Sequence, residues 1–339
     1  MTDQLFDRAV VFTDIHFGEK QNSRQHNIDC ENFVEWMIDE AKQWGADTCI
    51  FMGDWHHDRA RINASTLMYS ISNIEKLNNA FKDTYFIVGN HDIYYRDKRE
   101  VNSVYFSNLV DNVHLINDPI VMGDCAFVPW LVGDEWKQIQ KLKAKYCFGH
   151  FELPHFKMNA MVEMPDHGTI KLDHFGGFEK VFTGHFHKRQ IRDNIIYTGN
   201  CFPHNFSDAE DDERGLMFLE WDKQPIFKKW PGAPKYRKTT LSQLLENAES
   251  IMDNQTFVRA EIDVFLNYED ANYVKDVLIK HYNPRDLSLV PRKNIDPEIE
   301  EFSDDINFAS VDSVVLTHLS TIKSPNIRPE LLTEIYRQL

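Results

Sequence analysis

The sequence lacks several features that would assign it to a specialised class. No stretch approaches the roughly 18 uninterrupted apolar residues that a membrane span requires. The amino terminus, MTDQLFDRAVVFTD, does not have the basic-then-apolar layout of a signal peptide. Cysteines number only five, and none forms a CxxC pair. We therefore expect a cytoplasmic protein that has neither a disulfide framework nor a cysteine-bound zinc ion.

Basic charge is also scarce, because 37 Lys and Arg stand against 53 Asp and Glu and the formal net charge is -16. A chain of this charge repels polyanions, so binding of nucleic acid through a general basic field is not expected and any contact with DNA must be local. Short basic patches lie at 96–99, 137–145, 188–192 and 235–238. Clusters of this size are more often solvated surface than phosphate contacts.

What the chain does contain, up to about residue 230, is an alternation of short β-branched runs with longer helix-period segments. The predicted strands are 8–13, 47–52, 84–88, 124–130, 145–149 and 180–184, and the predicted helices are 24–44 and 64–81. Shorter strand-like runs after His187 predict a second sheet stacked on the first. The predicted fold class is α/β, an α+β sandwich of two stacked mixed sheets flanked by helices.

A chain of 339 residues is longer than one average domain. The run PGAPKYRK at 231–238 breaks all periodicity and predicts a linker. We expect a first domain at 1–235, a small α/β domain at 236–295, and a tether with two amphipathic helices at 296–339. The helix pair is interpreted as a detachable docking element, and packing on the chain's own core is the alternative.

Potential metal ligands follow five of the predicted strands directly. They are Asp14 and His16, Asp54, Asn90, His150, and the pair His185 and His187. In open α/β sheets, sites form beyond the carboxyl ends of the strands, so these side chains are expected to meet in one crevice. Carboxylate, amide oxygen and imidazole together favour manganese, iron or zinc. The series predicts a dinuclear metal site in which the two oxygens of Asp54 bridge the ions.

The series D-x-H, G-D, G-N-H-D, G-H and G-H-x-H resembles the calcineurin-like metallophosphoesterases. Within that superfamily it is most similar to the SbcD nuclease subunits and their T-even-phage relatives. The loop GDWHHDRARIN at 53–63 resembles the GDxFHxxRPS loop of that branch, and the run at 196–215 resembles its segment after the last metal histidine. The small α/β domain and the terminal helices match its capping domain and partner-binding region in position only.

The resemblance implies roles for individual residues. One ion would be held by Asp14, His16, Asp54 and His187, and the other by Asp54, Asn90, His150 and His185. His91 would protonate or steer the leaving 3′-oxygen, and His57 would position the phosphate, with His56 as the alternative. Asp92 is expected to orient His91 through a hydrogen bond, with a simple turn or cap role as the alternative. The expected metal is manganese, with magnesium as the second choice.

The function implied is a manganese-dependent DNA nuclease subunit, with 3′–5′ exonuclease activity on duplex ends and endonuclease activity on single strands. The same resemblance implies a homodimer whose carboxyl-terminal helices bind an SbcC-type coiled-coil ATPase. One alternative is a phosphatase or small-molecule phosphodiesterase of the superfamily, since GDWHHDR at 53–59 also resembles the serine/threonine phosphatases. Another is a catalytically dead scaffold, although a scaffold has no chemical need for seven ligands and His91.

Overall fold

The computed structural model describes residues 4–158 and 162–291. The chain divides after Tyr236 into two compact units. The three-part domain organisation stays a prediction, and the predicted tether and helix pair lie outside the described residues. Across the described part of the chain, no helix combines the length and apolar character needed to cross a membrane. The five cysteines are buried free thiols.

The first unit contains two six-stranded sheets. Its strands are β1 (Arg8–Phe12), β2 (Thr48–Phe51), β3 (Asp83–Ile87), β4 (Val113–Ile116), β5 (Ile120–Met122), β6 (Cys125–Val128), β7 (Tyr146–His150), β8 (Lys180–Gly184), β9 (Gln190–Arg192), β10 (Ile195–Tyr197), β11 (Gly215–Glu220) and β12 (Ile226–Lys229). The strand orders are β12-β11-β1-β2-β3-β4 and β5-β6-β7-β8-β10-β9. Both sheets are mixed: the first is antiparallel only at its β11–β12 edge, and the second is antiparallel at both edges. The predicted fold class is confirmed.

All six predicted strands are present, and so are the two predicted helices, α1 (Arg24–Trp44) and α2 (Ala64–Ala80). The expected grouping of strands is wrong in one respect. The strands after His187 do not make a separate sheet, because β9 and β10 extend the sheet of β6–β8 whereas β11 and β12 extend the sheet of β1–β4. Residue alternation reports which face of a strand is buried and does not report its pairing partner.

The core of this unit has two layers, which follow from the alternation of side chains along each strand. On β1, Val11 faces the other sheet and packs in one cluster with Phe148 of β7 and Phe182 of β8. Phe12 faces the opposite way, towards Phe33 on α1. The apolar stripe of α1 is buried against the sheet; it consists of Phe33, Val34, Met37, Ile38 and Ala41.

The remaining strands, β13 (Lys235–Thr240), β14 (Thr256–Ile262) and β15 (Asp286–Pro291), form a third sheet in that order. Helices α3 (Leu241–Ile251) and α4 (Tyr268–Tyr282) accompany it. Leu244, Val258, Leu278 and Leu287 make its small core. Helices and strands therefore alternate along this part of the chain. Short 3-10 turns complete the described elements at Tyr105–Leu109, Glu135–Lys141, Leu172–Phe175 and Phe206–Asp208.

Candidate metal centre

The predicted ligands lie at the carboxyl ends of five parallel strands that belong to both sheets. Asp14 follows β1, Asp54 follows β2 and Asn90 follows β3, while His150 ends β7 and His185 follows β8. Backbone hydrogen bonds join the first two loops, since the Asp14 N–H donates to the Gly53 carbonyl (3.0 Å) and the His16 N–H donates to the Asp54 carbonyl (3.1 Å). The crevice predicted from the sequence thus forms where the two stacked sheets end together.

Four of these residues have left-handed backbone conformations, which are uncommon for residues other than glycine. Asp14, His16, Asp54 and His185 have φ angles of 53°, 54°, 61° and 87°. Such conformations persist only where the surrounding structure enforces them, and they concentrate at functional sites. Here they turn the backbone sharply at the end of each strand, so that the side chains face the crevice.

The glycines of two motifs are required by close approach. A Cβ atom on Gly89 would lie 2.3 Å from both the backbone nitrogen and Oδ1 of Asp54. A Cβ atom on Gly184 would lie 2.1 Å from Oγ1 of Thr13 and 2.8 Å from Oδ2 of Asp14. Neither position has room for a larger residue without moving a candidate ligand.

The first group of candidate ligands comprises Asp14, His16 and Asp54, whose ligand atoms all lie within 4.8 Å of one another. Nε2 of His16 is 3.9 Å from Oδ1 of Asp14 and 3.7 Å from Oδ2 of Asp54. Nε2 of His187 is also 3.9 Å from Oδ1 of Asp14. His16 is buried, yet neither of its ring nitrogens has a hydrogen-bond partner among the described residues. A buried, unpartnered imidazole beside two buried carboxylates fits a bound cation.

The second group surrounds Asn90. Its Oδ1 lies 2.9 Å from Nε2 of His150 and 2.9 Å from Nδ1 of His185. Nε2 of His150 is 3.3 Å from Oδ2 of Asp54, so the Asp54 carboxylate lies within reach of both groups. Nδ1 of His150 is 2.7 Å from the Met52 carbonyl. If Nδ1 carries the proton that this contact calls for, Nε2 is left to face the crevice as a ligand.

The charges of the site favour a positive species next to Asp54. Burial alone would raise the pKa of Asp54, but the imidazoles of His150, His91 and His16 outweigh it and hold this pKa well below its usual range. Burial lowers the pKa of His150, but the neighbouring Asp54 carboxylate more than reverses this and raises the pKa to about 9. Proton and metal ion would therefore compete for this pair.

The two predicted catalytic histidines lie together at the edge of the first group. The rings of His57 and His91 stack with centroids 5.5 Å apart, and both offer a ligand atom within 4.8 Å of His16. Nδ1 of His91 donates to the His57 carbonyl (2.6 Å). His56 is instead buried away from the crevice, where its two ring nitrogens contact hydroxyls of Ser70 and Ser103 at 2.8 Å each. Between the two alternatives, the structure brings His57 to the site.

Asp92 has a different role from the expected one. Its buried carboxylate does not bond the ring of His91 but accepts four backbone N–H groups. These come from Asp54 (2.9 Å), Trp55 (3.0 Å), His56 (3.1 Å) and Gly89 (2.9 Å). The side chain therefore ties the loop that carries Asp54 to the loop that carries Asn90. The turn-residue alternative is nearer to what the structure shows.

Sequence reasoning missed His204 and Glu19. His204 lies outside the predicted ligand series, but it is fully buried, and one of its ring nitrogens lies within 4.8 Å of ligand atoms of His16 and His187. Oε2 of Glu19 is 3.0 Å from Nδ1 of His204. The only signal in the sequence was the position of His204 inside the run at 196–215, because its partners are distant in the chain.

No family model matches the chain. Exonuclease subunit 1 of Enterobacteria phage T4 is 26% identical to it over 200 residues, which cover 56% of this chain and 58% of the relative. This match supports the resemblance to the calcineurin-like metallophosphoesterases found in the motifs, and it spans less than two thirds of the length of the curated relative.

Two solved structures are also distantly similar to this chain. Nuclease MPE of Pseudomonas putida is 17% identical, with a TM-score of 0.29, over 56% of this chain and 66% of that one. A dimetal phosphatase from Danio rerio is 9% identical, with a TM-score of 0.40, over 66% of this chain and 95% of that one. These scores are too low to carry any property from either protein to this chain.

Proposed function

We propose that the chain is a two-metal DNA nuclease subunit that hydrolyses phosphodiesters and depends on manganese. The observation that carries the proposal is the position of Asp54, whose carboxylate lies 3.7 Å from a ring nitrogen of His16 and 3.3 Å from one of His150. A single carboxylate between two groups of ligands is the arrangement that a dinuclear centre needs. The exonuclease subunit of phage T4 supports the choice of DNA as substrate.

The ligand sets proposed are Asp14, His16, Asp54 and His187 for the first ion, and Asp54, Asn90, His150 and His185 for the second. Two divalent ions held by these residues would lower the pKa of a bound water and neutralise charge that develops on the phosphate. Their identity is proposed as manganese because the donors mix carboxylate, amide and imidazole.

The remaining chemistry belongs to the chain's own side chains. Nδ1 of His91 is engaged with the His57 carbonyl, which fixes the ring and leaves the second ring nitrogen for proton transfer to the leaving oxygen. His57, stacked on His91 and half-buried, is placed to contact the phosphate. The N–H of His91 donates to Oδ1 of Asp54 (2.8 Å), which couples the position of the proton donor to that of the bridging carboxylate.

A cavity beside His150 fits a nucleobase. Its lining includes Trp130, Trp136, Pro154 and His167. Aromatic faces bind bases of any sequence by stacking, which suits a nuclease that cuts without sequence preference. The runner-up function is a phosphatase or small-molecule phosphodiesterase of the same superfamily, which the acidic net charge of -16 favours because such substrates need no basic surface.

The proposed assembly is a homodimer with an SbcC-type coiled-coil ATPase. The ATPase supplies the electrostatic contact with DNA that this acidic chain lacks. Segment 306–339, which lies outside the described residues, is proposed as the docking element. Its deletion should abolish ATPase binding and leave diesterase activity unchanged; unchanged binding would remove the docking proposal.

The function is tested with end-labelled duplex DNA and manganese, using the wild-type chain and His91→Ala. We expect the wild type to shorten the duplex and the variant to lose about 10²–10⁴-fold in rate. Because His91 is not a proposed ligand, calorimetry should find two bound ions in both proteins. A wild type that is inert towards DNA, alone and with the ATPase, but hydrolyses a phosphomonoester would establish the runner-up instead.

A further inference from the structure

A second buried cluster lies next to the first group of candidate ligands. It consists of Glu19, His26 and His204, called the Glu19 cluster below, whose ligand atoms lie within 4.8 Å of one another. Oε2 of Glu19 is 3.0 Å from Nδ1 of His204 and 4.0 Å from Nε2 of His26. All three residues are buried. None of them belongs to the ligand sets proposed above.

The chain places Glu19 by an unusual turn. The three residues that follow it, Lys20, Gln21 and Asn22, have φ angles of 55°, 59° and 63°, a left-handed turn without glycine. The Glu19 N–H donates to the His16 carbonyl at 3.1 Å, so the turn starts directly from a candidate ligand. Consecutive left-handed residues are costly, and the surroundings must enforce them. The turn therefore holds the Glu19 carboxylate in a fixed position relative to His16.

The Glu19 cluster contains polar atoms that the protein leaves unpaired. Within the described residues, Oε2 of Glu19 and both ring nitrogens of His204 are not satisfied by a hydrogen bond, although Oε2 lies only 3.0 Å from Nδ1 of His204. Burying such atoms without partners is unfavourable, so they point to a group that binds there.

The contacts of His26 decide where that group lies. Nε2 of His26 is 3.0 Å from the His16 carbonyl and is already engaged as a donor. Without the His26 nitrogen, the Glu19 cluster has one carboxylate and one imidazole left, which are too few ligands to hold a separate ion. His204, however, also lies within 4.8 Å of ligand atoms of His16 and His187. Its ring is 5.4 Å from that of His16 and 5.3 Å from that of His187, centroid to centroid.

We propose that His204 is an additional ligand of the first ion and that Glu19 orients its imidazole. A ligating histidine commonly pairs its second ring nitrogen with a carboxylate, which fixes the ring and raises its basicity. The inference rests on the proposed function only in requiring that the first ion binds. With His16, His187 and His204, this ion would have three imidazoles beside Asp14 and Asp54. Such a set selects manganese, iron or zinc against magnesium.

Metal binding itself provides the test, independently of activity. Calorimetry with Mn²⁺ should find two ions per wild-type chain. In His204→Ala one of the two should bind at least about 10-fold more weakly, and in Glu19→Gln the same ion should bind about 10–100-fold more weakly. The matched control is His114→Ala, which removes a partly exposed histidine outside both clusters and should leave both affinities unchanged.

The absorption spectrum of the Co²⁺-loaded protein reports the ligands directly. Loss of an imidazole should shift the visible bands in His204→Ala but not in His114→Ala. Circular dichroism checks that each variant is folded, and His204→Gln replaces His204→Ala if the smaller side chain prevents folding. The proposal is overturned if the variants bind both ions with wild-type affinity and spectrum, or if the wild type binds three ions. A wild type that binds no ion would overturn the proposed function as well.

Discussion

Asp92→Asn tests whether the two ligand loops are held together by one buried carboxylate. In the wild type the carboxylate oxygens each accept two backbone N–H groups, at 2.9 and 2.9 Å for Oδ2 and at 3.0 and 3.1 Å for Oδ1. Asparagine keeps one oxygen and presents an NH₂ group in place of the other. Two buried N–H groups then face a donor instead of an acceptor.

The magnitude follows from those two lost bonds. A buried donor left without its partner costs about 1–3 kcal/mol, so two such donors give about 2–6 kcal/mol. A domain has only about 5–15 kcal/mol of stability in total, so this is a large fraction of it. The loops carrying Asp54 and Asn90 should also separate, and the affinity for metal should fall by about 10–100-fold.

Urea unfolding of the metal-free proteins measures the first effect, and calorimetry with Mn²⁺ well below the melting temperature measures the second. Asp58→Asn is the matched control, because Asp58 also accepts backbone N–H groups, from Ala60 and Arg61, but is exposed. It should change stability by less than about 0.5 kcal/mol. A loss in Asp92→Asn as small as in the control would refute the assigned role of the Asp92 carboxylate.

Three further predictions concern the crevice and the side chains around it. Gly89→Ala places a methyl group 2.3 Å from Asp54. It should weaken metal binding and lower the free energy of unfolding by about 1–3 kcal/mol. The control Gly177→Ala places a methyl group with no atom within 4 Å and should be neutral in the same assays. Burial lowers the pKa of His56 from 6.5 to about 3, so the unfolded chain takes up the proton first as the pH falls. Folding stability should therefore decrease between these two pH values by about 1.4 kcal/mol per pH unit. In His56→Asn the free energy of unfolding should depend less steeply on pH, and an unchanged slope would contradict the shift. Trp136→Ala should weaken binding of single-stranded DNA by about 1–3 kcal/mol in a fluorescence titration if the cavity holds a base, and unaltered binding would remove the cavity from the proposal.

Much of the candidate site could be predicted from the sequence because its chemistry is local. Each motif is short, and each follows a strand whose β-branched residues identify it without reference to the rest of the chain. The carboxyl ends of parallel strands meet in space, so the order of motifs was sufficient to predict that Asp14, Asp54 and Asn90 come together. The structure brings these residues together as expected.

The contacts that could not be predicted depend on pairing between distant segments. β11 pairs with β1 although almost the whole first unit lies between them, and no periodicity reports that choice. His204 reaches the crevice for the same reason, since the run that carries it passes between β10 and β11, one strand in each sheet. A histidine without regular spacing gives no signal until such a path is known.

The left-handed residues of the crevice carry a conformational cost that other contacts of the protein offset. Asp14, His16, Asp54 and His185 each hold a conformation that costs about 1–3 kcal/mol. Opposing contacts come from the protein itself: the N–H of His185 donates to both oxygens of Asp14 (3.2 and 3.1 Å), and Asp92 holds the Asp54 loop. These contacts position the side chains when the chain folds. We therefore expect little of the metal-binding free energy to be spent on ordering them. Strain at the ligands and the carboxylate of Asp92 are therefore two parts of one arrangement, and substitution of either should both weaken metal binding and destabilise the fold.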